Sequence, residues 1–119
     1  MNSEVQYFKE NAIIIKPELE IQYSSLTLSL LIQMGTTAAW YGGLPYGHIS
    51  DKVCRNRLPE AIIALLKTLE VTSWDSLPNT PIRVKTEGKG GRIAAIGHFM
   101  KDKWFNFDDH YDLGNAGRR

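Results

Sequence analysis

Residues 25–30 read Ser25-Leu26-Thr27-Leu28-Ser29-Leu30, polar and apolar in strict alternation. Side chains of extended chain point to opposite faces in turn, so this run commits Leu26, Leu28 and Leu30 to one side of a half-buried strand. Such a strand needs neighbours, and the rest of the chain supplies them. Val5 to Phe8 and Ala12 to Ile15 are apolar runs bounded by Lys9-Glu10-Asn11 and Lys16-Pro17-Glu18, which predicts two short strands or one bent strand. Thr36 to Tyr41 predicts a third extended segment. It runs into Gly42-Gly43-Leu44-Pro45-Tyr46-Gly47, where the glycines and proline predict a loop or a sheet edge. Further on, Pro81-Ile82-Arg83-Val84-Lys85 alternates, Glu87-Gly88-Lys89-Gly90-Gly91 has turn chemistry, and Arg92-Ile93-Ala94-Ala95-Ile96 is extended again, which predicts a C-terminal β-hairpin.

Only one segment reads as a long helix. Pro59 suits a helix's first turn, and Ile62, Leu65, Leu66 and Leu69 follow at the spacing of one helical face. Thr72-Ser73-Trp74-Asp75 offers a hydroxyl cap with a carboxylate three residues on, so a short helical turn is expected before Leu77-Pro78, with Trp74 plugging the core beneath it. Strands, a helix and a hairpin make an α+β fold: an antiparallel sheet with one main α-helix packed on one face. At 119 residues the chain is one domain's worth, expected over 1–107, with 108–119 a mobile acidic, glycine-bearing tail. One helix cannot cover both faces of an expected five-stranded sheet. Trp40, Tyr41, Trp104, Phe105 and Phe107 lie outside the helix, so a second copy is expected to supply cover in a homo-oligomer.

Charge and cysteine usage narrow the function classes. A single cysteine, Cys54, excludes an intrachain disulfide framework and fits a reducing compartment. The longest apolar runs are far below the roughly 20 residues that span a bilayer, and Met1-Asn2-Ser3-Glu4 lacks a signal peptide's basic start, so a soluble cytoplasmic protein without membrane contact is expected. Net charge is only +1, which disfavours a nucleic-acid coat protein and makes any anion site local. Lys52, Arg55 and Arg57 precede the helix, and Arg83, Lys85, Lys89, Arg92, Lys101 and Lys103 crowd a later stretch. Charge runs of this kind ordinarily form solvated faces; alternatively, part of the cluster faces a phosphate-bearing ligand.

Catalytic constellations are lacking. His48, His98 and His110 are scattered, and neither H-x-x-x-H nor C-x-x-C occurs, so no metal or cofactor is expected. Cys54 with a histidine, or the adjacent Asp108-Asp109, matches no catalytic signature. Gly88-Lys89-Gly90-Gly91-Arg92 lacks the spacing of a phosphate loop and reads as a hairpin turn, although its backbone N–H groups beside Lys89 and Arg92 can assist an anion held by neighbours. Trp40-Tyr41-Gly42-Gly43-Leu44-Pro45-Tyr46 joins flat aromatic faces to bare backbone, which serves either stacking on a base with close approach to phosphate or a core and subunit contact. His98 either contributes to a ligand site or satisfies a neighbouring carbonyl. The expected site is Trp40, Tyr41, Gly42, Gly43 and Tyr46 for base and ribose, with Arg83, Lys85, Arg92 and His98 for phosphates. Arg83 and Lys85 share a strand face, and cross-strand pairing is expected to bring Arg92 near them.

The order Trp40-Tyr41-Gly42-Gly43, an aliphatic helix running into Val71-Thr72-Ser73-Trp74-Asp75-Ser76-Leu77, Ile82-Arg83-Val84, Ile96-Gly97-His98 and Asp102-Lys103-Trp104-Phe105 resembles small phage-encoded proteins, among them the Thoeris anti-defence sponges that sequester cyclic ADP-ribose signals. The likeness spans roughly 25–107. It departs at Leu44-Pro45-Tyr46-Gly47-His48, where a glycine-rich loop followed by an acid is expected. The resemblance implies an antiparallel sheet with a helix, symmetric oligomers, and a non-enzymatic protein of the infected bacterial cytoplasm that binds and withholds a small cyclic nucleotide, a cyclic ADP-ribose isomer or a cyclic oligonucleotide. The alternative from another class is a phage inhibitor acting by protein–protein contact, such as an anti-CRISPR.

Overall fold

The computed structural model describes residues 7–22, 24–48, 52–88 and 91–110, without the side chains of 44–48 and 52–56. Val5, Gln6, Lys89, Gly90 and the tail beyond His110 lie outside the described residues. The chain forms β1 (Tyr7–Gln22), β2 (Ser25–Met34), β3 (Thr37–His48), α1 (Lys52–Leu69), a 3-10 turn at Trp74–Ser76, β4 (Pro81–Glu87), β5 (Ile93–His98), β6 (Trp104–Phe105) and a second 3-10 turn at Phe107–Asp109. Among the described residues all strand pairs are antiparallel, in one six-stranded sheet of order β3-β2-β1-β4-β5-β6. The α+β architecture with one main helix is the one that the residue patterns predict, with six strands rather than five.

β1 organises the sheet. Its first half, Tyr7 to Ile13, pairs with β4, and its second, Ile13 to Gln22, with β2. Lys16-Pro17-Glu18 does not break it: a bulge between Ile14 and Lys16 absorbs one residue, and the strand continues with Pro17 opposite Leu30. The bent-strand alternative is thus the one realised. β3 likewise continues through Gly42 and Gly43 as an edge strand, its irregularity taken up by register shifts between Ser25 and Ser29 of β2. Proline and glycine are tolerated at such edges and bulges, where a ladder bond can be missing.

The helix begins at Lys52, earlier than expected, so that Pro59 is interior and cannot donate to the Arg55 carbonyl. Its buried stripe is Leu58, Ala61, Leu65 and Leu69, with Ile62 and Leu66 partly buried at its margin. These pack with Ile14, Leu28, Leu30, Ile32, Ile82, Val84, Ile96, Phe105 and Phe107 in one core. Trp74 packs against this core but is only partly buried, whereas Leu77, three residues on, is fully buried. The helix closes with Glu70 N–H donating to the Lys67 carbonyl (3.2 Å) and Val71 N–H to that of Leu66 (3.0 Å). This paired arrangement requires a left-handed residue, and Glu70 supplies it at φ 58°.

The sheet curls strongly. Three strands separate β3 from β5, so in a flat sheet the two would lie roughly 19 Å apart. Yet the Tyr41 hydroxyl on β3 donates to the Ala94 carbonyl on β5 (3.1 Å) and accepts from the Phe107 amide (3.1 Å). The two ends of the sheet meet at a seam, and α1 touches β3, β5 and β6 alike.

Candidate functional site

Gly42 makes the seam possible. A Cβ there would lie 2.6 Å from the Phe107 ring and 2.8 Å from the Leu28 carbonyl, and its φ of +93° disfavours any side chain. With bare backbone at that point, Phe107 reaches under β3 and packs on Tyr41 and Phe105, each ring centroid 4.9 Å away. Asn106 holds the turn that presents Phe107: its Oδ1 accepts from Asp108 N–H at 2.9 Å and lies 3.5 Å from the Tyr41 hydroxyl. Asp108 therefore sits in a hydrogen-bonded turn.

Along this seam runs a cavity of about 280 Å³. Trp40, Tyr41 and Gly42 line one wall; Glu87, Arg92, Ile93 and Ala94 the other; Tyr7 and residues 106–108 complete it. Arg92 is exposed and ion-paired with Glu87 at 3.5 Å. The volume is near the lower end for small-molecule sites, about 300 Å³. Aromatic side chains, backbone polar groups, the Glu87 and Asp108 carboxylates and one arginine at the rim suit a planar ring bearing hydrogen-bonding edges.

The expected site residues divide into groups. Trp40, Tyr41, Gly42 and Arg92 come together in the cavity. Gly43 follows on the same strand, exposed, and Tyr46 lies on β3 with its side chain outside the described residues. Arg83 and Lys85 do share a face, the outer face of the sheet, directed away from the core. Arg92 does not join them: Arg83 pairs with Gly97, five residues beyond Arg92 and so roughly 16 Å along the strand. Arg83 donates through Nε to the His98 carbonyl (3.1 Å) and through Nη2 to that of Lys101 (2.8 Å).

His98 belongs to a different cluster. Its Nδ1 accepts from the backbone amides of Met100 and Lys101, both at 3.0 Å, and its Nε2 faces Glu70 at 3.6 Å. Glu70 also receives Lys101 Nζ (2.8 Å) and Lys103 Nζ (3.0 Å), and Lys103 in turn caps the Lys67 carbonyl (3.0 Å). The hydrogen bonds from Lys101 and then Lys103 lower the Glu70 carboxyl to about 2. The group ties the helix C-terminus to the turn after β5.

Tyr7, Asn106 and Asp108 in the cavity, and Lys9 beside Lys85, are not singled out by any motif. Tyr7 and Lys9 alternate on β1, but only the β1–β4 register shows what they face. Among the described residues no group of three or more His, Cys, Asp or Glu side chains is placed to hold a metal ion, and no helix is long and apolar enough to cross a membrane. The chain matches no known protein family, no curated protein and no solved structure.

Proposed function

We propose that this protein binds and sequesters a small cyclic nucleotide immune signal of the cyclic ADP-ribose class without degrading it, as a phage anti-defence protein. The observation that carries the reading is the seam cavity, which gathers Trp40, Tyr41, Gly42 and Arg92 from distant parts of the chain. Its size fits a base with its sugar rather than a whole dinucleotide, so the phosphates would lie outside it, toward the charged residues of the rim. Sequestration needs tight binding without turnover, which stacking and charge-assisted hydrogen bonds can supply. The resemblance to the Thoeris sponges supplies the biological setting. Self-association belongs to the same reading and is supported by the outer face, where Ile13 and Trp40 are about half exposed (47% and 50%).

The test is to incubate the protein with a cyclic ADP-ribose isomer, remove free ligand, denature by heat and identify what is released. Intact ligand supports sequestration, a cleaved product indicates an enzyme, and no retained ligand removes the reading. The same exposed aromatic and aliphatic surface favours, as a second reading, an inhibitor acting by protein–protein contact. A cell-free reaction in which pre-made signal activates its effector separates the two, since only a sponge blocks it. Native mass spectrometry gives subunit count and retained mass together.

A further inference from the structure

Three cations of the outer face converge on one indole. Trp104 lies over Gly97, where a Cβ would come within 2.6 Å of the ring, and its Nε1–H donates to Asp102 Oδ1 at 2.7 Å. Lys85 Nζ is 4.3 Å from the ring centroid, the Arg83 guanidinium carbon 5.0 Å and Lys9 Nζ 5.6 Å. Lys9 and Lys85 are direct cross-strand partners. Like charges placed opposite one another repel. Among the described residues neither lysine has a carboxylate within ion-pair distance, whereas Lys16, Arg92, Lys101 and Lys103 each have one. The ring's electron-rich face attracts both ammoniums without neutralising them.

This cluster borders the seam cavity. Tyr7 and Glu87, which line the cavity, pair across β1 and β4, and Lys9 and Lys85 are the next residues on the same face of the same strands. The step is two residues, roughly 7 Å, about the span of one sugar. We infer that Lys9 and Lys85, gathered over Trp104, form the phosphate subsite for a nucleoside 5′-phosphate or diphosphate whose base occupies the seam cavity. The continuity with the cavity rests on the reading that the cavity takes a base; the anion site rests on the lysine pair alone. Arg83, engaged by two carbonyls, fixes the edge of the cluster.

Adenosine, ADP and inorganic pyrophosphate separate the two parts. By calorimetry, ADP is expected to bind at least tenfold more tightly than adenosine. Lys9→Met and Lys85→Met, which keep the aliphatic stems, are each expected to weaken ADP about tenfold while leaving adenosine unchanged, and Lys85→Arg to restore most of the loss. Pyrophosphate alone is expected to shift the Trp104 indole N–H in ¹H–¹⁵N spectra, in wild type but not in Lys85→Met. Equal affinity for ADP and adenosine, together with an unmoved Trp104 resonance, overturns the phosphate subsite even if adenosine binds. A Lys85-dependent pyrophosphate shift with no adenosine binding upholds the anion site and removes the cavity reading instead.

Discussion

Tyr41→Phe tests the seam directly, because it removes one oxygen and leaves the ring. Tyr41 is 7% exposed, and its hydroxyl serves two backbone groups on the far side of the sheet. The Phe107 amide is a buried donor, and leaving it unsatisfied costs about 1–3 kcal/mol. The Ala94 carbonyl is only partly buried and can recruit water, so the lost bond there costs about 0.5–1 kcal/mol. The apolar contact with the Phe107 ring is retained. The expected loss is therefore about 2–3 kcal/mol, which for a chain of this length lowers Tm by roughly 8–15 °C. Urea unfolding should show a lower midpoint with unchanged slope, and hydrogen exchange should show faster exchange at the Phe107 amide than at core amides of β2. A change below about 0.5 kcal/mol with the Phe107 amide still protected would refute the claim that this hydroxyl holds the two ends of the sheet together.

Three further outcomes are expected. Glu70→Gln should narrow the pH dependence of stability: the wild-type carboxyl is lowered from 4.5 to about 2, so its contribution is full above 4.5 and lost as pH falls toward 2, and thermal melts of the two proteins should converge across that window. Gly42→Ala should destabilise by about 2 kcal/mol or more, since its Cβ meets both Phe107 and the Leu28 carbonyl at a φ of +93°, and a folded variant with an unshifted melting curve would contradict this. Phe107→Ala, in a position 1% exposed, should cost about 3–5 kcal/mol in chemical denaturation and abolish ligand retention by opening the cavity.

Periodicity made most of the sheet legible. Leu28 and Leu30 are fully buried as their alternation requires, and the Ile82–Ile96 hairpin needs no more than its two runs and intervening glycines. Pro17 and Gly42 left two alternatives open for a common reason: each normally ends a strand, but one follows a bulge and the other lies on an edge. The bent strand and the sheet edge are the alternatives realised, and neither context is visible in a local window. Pro59 misplaced the helix start because proline marks a first turn only where no earlier turn exists. Among the site residues, Trp40 to Gly42 were legible from composition. Arg92 was expected beside Arg83 and Lys85, but in an antiparallel hairpin the start of β5 faces the end of β4, so it lies by Glu87 at the cavity rim. Its meeting there with Trp40 to Gly42 comes from the curl of the sheet, a tertiary property. Lys9 needed the register to be noticed at all.

The seam also sets when a ligand can matter. The β2–β3 and β4–β5 hairpins close through connections of two and five residues, whereas Tyr7 and Glu87 pair across 80 positions and Tyr41 reaches Ala94 across 53. Contacts between remote parts of the chain are entropically slow to form, which places closure of the seam late in folding. A chain whose seam is open lacks the complete cavity, so a ligand bound there acts as a reversible cross-link on the closed molecule alone. At a hundredfold excess over Kd it adds about 2.7 kcal/mol. For a sponge, rising signal would then lengthen the life of the protein that removes it, since occupied molecules open to proteases about a hundredfold less often.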